Sequence, residues 1–209
     1  GITAPFDIHS DSAVGFYLTG NPGQSDPATR QLERAVSQIS VMDPRTNRTE
    51  MITHLMADRA QMRILHMVTG DPNRTATFFD FLSSGFQGLI GGLDCSSDPT
   101  TLVQQCPGVE TWLHGSIQSE ITTTWLAMAG PGVEHRGITN SVWSDHTDVR
   151  PTVLAALGLR DRYVHDGRVL TEILKHTTTS DDSDAFARLQ RVFKQIDAPV
   201  GRLALATAR

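Results

Sequence analysis

The stretch that most constrains the fold is 112–133, in which a histidine before a glycine precedes a run of β-forming residues. His114 stands directly before Gly115, and the β-forming run at 122–128 ends at the turn sequence Gly-Pro-Gly at 130–132. This pattern predicts a buried strand beside a loop histidine, an arrangement that commonly holds a metal ligand still. The alternative is a polar loop residue ahead of an ordinary core strand, and the spacing by itself favours that alternative.

Two segments further along have the residue order of a known family. The segment WSDHTDVRPTVLAALGL (143–159) resembles a helix that the alkaline phosphatase superfamily writes Asp-x-x-Pro-Thr-Leu-Leu-x-Leu-Leu-Gly. The segment YVHDGRVL (163–170) resembles the closing Asp-Gly-Arg-x-Leu segment of that superfamily. With the His-Gly at 114–115, they are similar to the C-terminal part of its type I phosphodiesterase/nucleotide pyrophosphatase branch. Segments 6–13, 65–75 and 194–201 resemble a bacterial group of large secreted phosphoesterase-like proteins, so the resemblance covers nearly the whole chain.

The resemblance implies an α/β fold class, namely the C-terminal part of an alkaline-phosphatase-like α/β/α sandwich with a small α+β subdomain. Residues 1–93 would form the subdomain, inserted before the last metal ligand, and residues 94–209 would belong to the core. His114 would bind one of two divalent cations, zinc in this branch, which lie roughly 4 Å apart. Ser116 and Glu120 are candidates to hold the other ring nitrogen of that histidine. The bacterial group usually has Asp where this chain has Ser116.

The function implied by the resemblance is that of a metal-dependent phosphoesterase, of which this chain is a C-terminal fragment. Residues 1–113 contain no convincing copy of the family's nucleophile or remaining ligand motifs, so no catalytic residue is assigned in this chain. We expect the fragment to be inactive alone, and to act on a small phosphate ester only with the N-terminal remainder of the protein. The alternative is a non-catalytic extracellular binding module that keeps the hydrolase scaffold, which Ser116 mildly favours.

Composition sets limits on the other classes of protein. The 209 residues are 39% hydrophobic and 20% charged, which is ordinary for a globular domain. The net charge of −5 argues against a nucleic-acid surface that depends on phosphate contacts. No apolar run approaches the roughly 18–20 residues that span a bilayer. The chain starts at Gly1 without a signal peptide, and residues 1–10 already have the pattern of structured chain, so we expect a C-terminal piece of a longer protein.

The cysteines bear on the compartment. Cys95 and Cys106 flank a polar loop, and such a pair is typical of a local disulfide in an oxidising compartment. Two unpaired thiols are the alternative, and a cysteine metal site is disfavoured because four soft ligands are not nearby. With the resemblance, this spacing predicts a secreted or periplasmic protein.

Local signals predict the order of elements along the chain. Two strands around a turn at 9–12 are predicted within 4–18, and there His9, Asp11 and Ser12 are better explained as turn residues than as ligands. The remaining predicted elements are a helix from Pro27 to about residue 41, a helix at 51–62, strands at 63–68 and 77–82, a helix at 145–157, a short amphipathic segment at 168–175 and a last helix at 184–196. The acidic and histidine residues at 145–148 have the composition of a metal cluster, but their position at a helix start favours capping.

Overall fold

The computed structural model of the chain describes residues 4–10, 13–43, 46–84, 86, 115–175 and 183–198. These residues divide into two compact units, with the boundary between Thr124 and Trp125. The predicted domain boundary, between residues 93 and 94, lies outside the described residues.

The described strands of unit 1 form antiparallel sheets. These strands are β1 (Phe6–Ser10), β2 (Ala13–Leu18), β3 (Ser40–Asp43), β4 (Arg48–Met51), β5 (Thr53–Ala57) and β6 (Phe78–Leu82). Four of them form one sheet in the order β1-β2-β6-β5, and β3 pairs with β4 in a separate two-stranded hairpin. All these pairings are antiparallel. The predictions of two strands within 4–18 and of a strand at 77–82 are therefore confirmed.

Side chains on the two faces of this sheet build two cores. Alternate residues of β6 point to opposite faces, so Phe78 and Leu82 join one hydrophobic cluster and Phe81 joins the other. The first cluster contains Leu32 and Val36, which lie on helix α1 (Pro27–Ser37). Its centre is a stacked aromatic pair, with 4.7 Å between the ring centroids of Phe16 and Phe78. Complete burial of each such ring contributes about 1.5–3 kcal/mol.

Local capping signals fix where the two larger helices of unit 1 begin. The Asp26 side chain accepts a hydrogen bond of 2.8 Å from the Ala28 N–H, and Pro27 occupies the first turn of α1. Such a cap is worth about 1 kcal/mol. Helix α2 (Arg59–Ile64) begins at a capping box in which Asp58 and Gln61 exchange side-chain and backbone hydrogen bonds. Helix α3 (Ser119–Thr122) is one turn long.

Three sequence predictions in unit 1 are wrong. The helix predicted at 51–62 is the end of β4, then β5, and only then the start of α2. The strand predicted at 63–68 contains the end of α2 and a tight turn at His66, whose φ is +56°. Helix α1 also ends at Ser37 rather than near residue 41, because the chain from Ser40 onward pairs in the β3–β4 hairpin.

The buried strand predicted at 122–128 is also wrong. Helix α3 takes its first residue, and the rest has no assigned strand or helix. The Trp125 side chain is 84% exposed. Threonine and tryptophan favour strands only where a neighbouring strand offers pairing and a surface for packing, and no described strand pairs with this segment.

The described part of unit 2 consists of helices and irregular segments, with a short β-bridge between two of the irregular segments. Helix α4 (Val149–Ala156) follows a 3₁₀ turn at His146–Asp148, and Gly158 ends it with a φ of +65°. The last helix, α5 (Ser183–Asp197), confirms the prediction for 184–196. Within 168–175 the structure has a single 3₁₀ turn, Thr171–Ile173. A β-bridge joins Val133 to Leu174.

The described elements show a mixture of α-helices and β-strands, which confirms the predicted fold class at that level. The alkaline-phosphatase-like sandwich is a finer statement and stays a prediction. Within the described ranges, no helix has both the length and the apolar character needed to cross a bilayer.

Candidate functional site

The segments 143–159 and 163–170 of unit 2 contact each other through hydrogen bonds. Asp148, which is completely buried, accepts a hydrogen bond of 2.8 Å from the Arg168 N–H and one of 3.0 Å from the Asp145 N–H. The Thr152 hydroxyl accepts a 2.9 Å hydrogen bond from the Leu170 N–H. We call this contact between segments 143–159 and 163–170 the motif junction.

Gly167 is required at the motif junction because the backbone of Thr147 passes very close to it. A Cβ atom at this position would lie 2.0 Å from the carbonyl oxygen of Thr147. Real side chains do not tolerate such a distance, so only glycine fits without movement of the backbone. The Asp-Gly-Arg sequence thus has a packing reason that is independent of any chemistry.

A buried lysine neutralises the acidic residues of the junction. The Lys194 ammonium, from α5, lies 3.0 Å from Asp145 Oδ2 and 3.6 Å from Asp148 Oδ1, and it also donates to the Thr147 hydroxyl. Burial opposes the charge of Asp145, but hydrogen bonds from Thr147 and Lys194 outweigh it and hold the pKa of Asp145 below its usual value.

A second ion pair at the motif junction joins Arg168 to Glu172. Arg168 is buried; its Nη1 lies 2.8 Å from Glu172 Oε2, and its Nη2 donates to the Trp143 carbonyl oxygen at 2.9 Å. Burial opposes the charge of Glu172, but hydrogen bonds from Arg168 and from its own backbone lower its pKa. The charges of the junction are therefore paired with one another.

The segment 145–148 is a helix cap, as predicted. Asp145 and Asp148 form a reciprocal capping box around the 3₁₀ turn, and His146 points to solvent as an exposed residue. Across the described ranges, no group of three or more His, Cys, Asp or Glu side chains is arranged to hold a metal ion.

The structure describes only some of the other predicted site residues. His114, Cys95 and Cys106 lie outside the described residues. Ser116 is half-buried, and its hydroxyl has no hydrogen-bond partner in the described parts of the chain. Glu120 is exposed in the first turn of α3, where it accepts a 3.4 Å hydrogen bond from Ser119. The structure brings neither of them to a described metal ligand.

Unit 1 contains a cavity of about 280 Å³ that the sequence did not predict. Its wall is formed by α1, by the end of β5 and by the start of α2, and we call it the α1–α2 cavity. It is lined by Arg30, Glu33, Arg34 and Ser37 of α1, by Met56 of β5, and by Asp58 and Gln61 at the α2 capping box.

Glu33 is the unusual group of the α1–α2 cavity. It is only 4% exposed, and Oε1 has no hydrogen-bond partner within the described residues. Oε2 forms an ion pair with Arg30. Burial raises the pKa of Glu33, which the charges of Arg30 and Arg34 partly offset. The sequence signal was present but weak: Glu33 is an acidic residue beside Leu32 on the buried stripe of α1.

Comparison of the chain with protein-family models, with curated proteins and with solved structures finds no match. Its function is therefore inferred from residues and geometry.

Proposed function

We propose that this chain is the C-terminal part of a metal-dependent phosphoesterase that hydrolyses a phosphodiester or a related ester. The observation that supports the proposal best is the motif junction. Asp148, Thr152, Gly167 and Arg168 are the residues that carry the resemblance, and each has a defined contact there. These contacts support the proposal at the level of the fold.

The metal site in this proposal lies at His114 and at residues outside the described ranges. The described residues do not assemble a ligand set, so Asp145 and Asp148 are assigned to the fold and not to the metal. Bound cations, zinc by resemblance, would supply charge neutralisation and activation of the nucleophile. Ser116, with its buried hydroxyl lacking a described partner, stays a candidate to orient the histidine.

The decisive experiment is on a longer chain. The coding sequence upstream of Gly1 should specify an Asp, a Thr or Ser nucleophile, an Asp-x-x-x-His motif and an Asp-His pair. The extended protein should hydrolyse bis(p-nitrophenyl) phosphate with zinc, and His114→Ala should lower kcat/KM by more than about 100-fold. His146→Ala is the matched control and should retain activity, since His146 is exposed. Turnover by the present chain alone would contradict the inactive-fragment statement.

A second candidate function is a non-catalytic extracellular binding module. The α1–α2 cavity favours this function, because a buried carboxylate lines it. The described residues also assemble no metal ligand set. An upstream sequence without the nucleophile and the Asp-His pair would decide for this module.

We also propose that the protein is secreted or periplasmic. The support is the Cys95 and Cys106 spacing in the sequence. Mass spectrometry of a non-reduced digest tests it: a peptide pair linked through these two cysteines is expected, and two free thiols in protein from its native compartment would contradict it.

A further inference from the structure

The α1–α2 cavity has a buried acceptor that the fold leaves unused. Glu33 Oε1 is without a hydrogen-bond partner in the described residues, and the side chain lines the cavity wall. A buried acceptor left without a partner is unfavourable, because it has lost its hydrogen bonds to water. Nothing in the hydrophobic packing of α1 requires a carboxylate, because the same helix stripe carries Leu32 and Val36. A donor that enters the cavity would remove this cost.

Other polar groups around the cavity also have unused hydrogen-bonding capacity, as donors at Arg34 and Gln61 and as an acceptor at Ser37. Arg34 forms no ion pair with another described residue, and its positive charge acts on Glu33. The Gln61 Oε1 atom accepts from the Asp58 N–H, so the amide NH₂ group of Gln61 remains as a donor. The Ser37 hydroxyl donates to the Arg34 carbonyl oxygen and can still accept.

The charges of the wall are balanced. Arg30 and Arg34 contribute two positive charges, and Glu33 and Asp58 contribute two negative ones. A ligand with only one sign of charge would be opposed by one half of this wall, because like charges brought together are unfavourable. A ligand with both signs is complementary to it.

The volume limits the ligand to a small molecule. At about 280 Å³, the cavity is just below the roughly 300–1,000 Å³ of pockets that hold drug-sized ligands. Met56 supplies an apolar part of the wall, on which a short aliphatic side chain can pack.

We propose that the α1–α2 cavity is a binding site for a small zwitterion of the free α-amino acid class. The ligand's ammonium group donates to Glu33 Oε1, its carboxylate faces Arg34 and the Gln61 amide, and its side chain lies on Met56. This inference does not depend on the proposed phosphoesterase function.

Isothermal titration of the full chain with four probes tests the proposal. L-Alanine and L-valine carry both charges, acetate carries only the negative charge, and ethylammonium carries only the positive charge. The zwitterions should bind with at least about tenfold lower Kd than either singly charged probe. Equal binding of acetate would replace the proposal with an anion site, and no heat from either amino acid would overturn it.

Two variants and two matched controls locate the binding. Glu33→Gln and Arg34→Met should each raise the Kd for the better amino acid at least about tenfold. Asp7→Asn removes an exposed carboxylate on β1 and Arg63→Met an exposed cation on α2, and both should bind as the original chain does. Unchanged binding by Glu33→Gln would overturn the assignment of the buried carboxylate. If either cavity variant fails to fold, the comparison of the four probes on the unaltered chain still tests whether the cavity binds a zwitterion.

Discussion

The backbone N–H of Arg168 lies 2.8 Å from the carboxylate of Asp148, and this hydrogen bond joins two residues that are 20 positions apart in the chain. The acceptor is completely buried. The Asp148 carboxylate therefore holds the start of α4 against the Asp-Gly-Arg segment by a buried hydrogen bond.

Asp148→Ala should destabilise unit 2 by about 3–5 kcal/mol. The substitution leaves the N–H groups of Arg168 and Asp145 without their acceptor and leaves Lys194 buried with one carboxylate fewer. Amide hydrogen exchange followed by NMR measures it, with faster exchange at Arg168 as the local readout. The control is Asp166→Ala at an exposed neighbour; equal effects of the two substitutions would show that the buried acceptor is unimportant.

Gly167→Ala should cost about 3 kcal/mol or more, because the new methyl group would lie 2.0 Å from the Thr147 carbonyl oxygen. The obstacle is backbone, so a rotamer change cannot relieve it. Gly132→Ala is a suitable comparison in the same unit, since its nearest atom would be Ala156 O at 3.5 Å. Urea unfolding midpoints of the two variants should differ clearly, and similar midpoints would mean that the 166–168 backbone shifts easily.

Lys194→Met should destabilise unit 2 by about 3 kcal/mol near neutral pH, since it leaves Asp145 and Asp148 close together without their cation. The folded pKa of Asp145 lies below its usual value. Its contribution is therefore present above the unfolded pKa near 4 and is lost as pH falls through the lower folded pKa. Thermal melts between pH 3 and pH 7 measure this, with Arg188→Met on the same helix as control. Parallel curves for all three proteins would contradict the coupling.

Local signals in the sequence were sufficient to predict a helix end where that end depends on neighbouring residues. Asp26 with Pro27, and Gly158 after α4, set their helix ends through contacts within a turn of the chain. The helix α5 was predicted from its apolar periodicity. The interpretation of 145–148 as a cap also depended on local geometry, and it was correct.

Long-range pairing could not be predicted in the same way. Residues 53–57 have a helix-like apolar pattern, but they form a strand because β6 offers them a partner. The segment 122–128 has strong strand formers, but no described strand pairs with it, so it forms no strand. The α1–α2 cavity arises only when two helices distant in sequence meet at the end of β5, and for this reason no motif pointed to Glu33.

Asp80 should make unit 1 less stable as the pH rises. It lies on β6, it is 1% exposed, and the Thr53 hydroxyl donates to its Oδ2 at 3.1 Å. Burial raises its pKa from 3.8 to about 7, against the lowering effect of the Thr53 hydrogen bond. Between these two values the unfolded chain releases the proton and the folded chain keeps it. The free energy of unfolding therefore falls from about pH 4 to pH 7, by about 4 kcal/mol in total, and then levels off.

Asp80→Asn keeps an acceptor for Thr53 and removes the titration. Urea unfolding of both proteins at pH 4.5 and pH 8 should show the variant gaining stability over the original chain at the higher pH. A constant difference between the two proteins across this range would mean that Asp80 titrates normally.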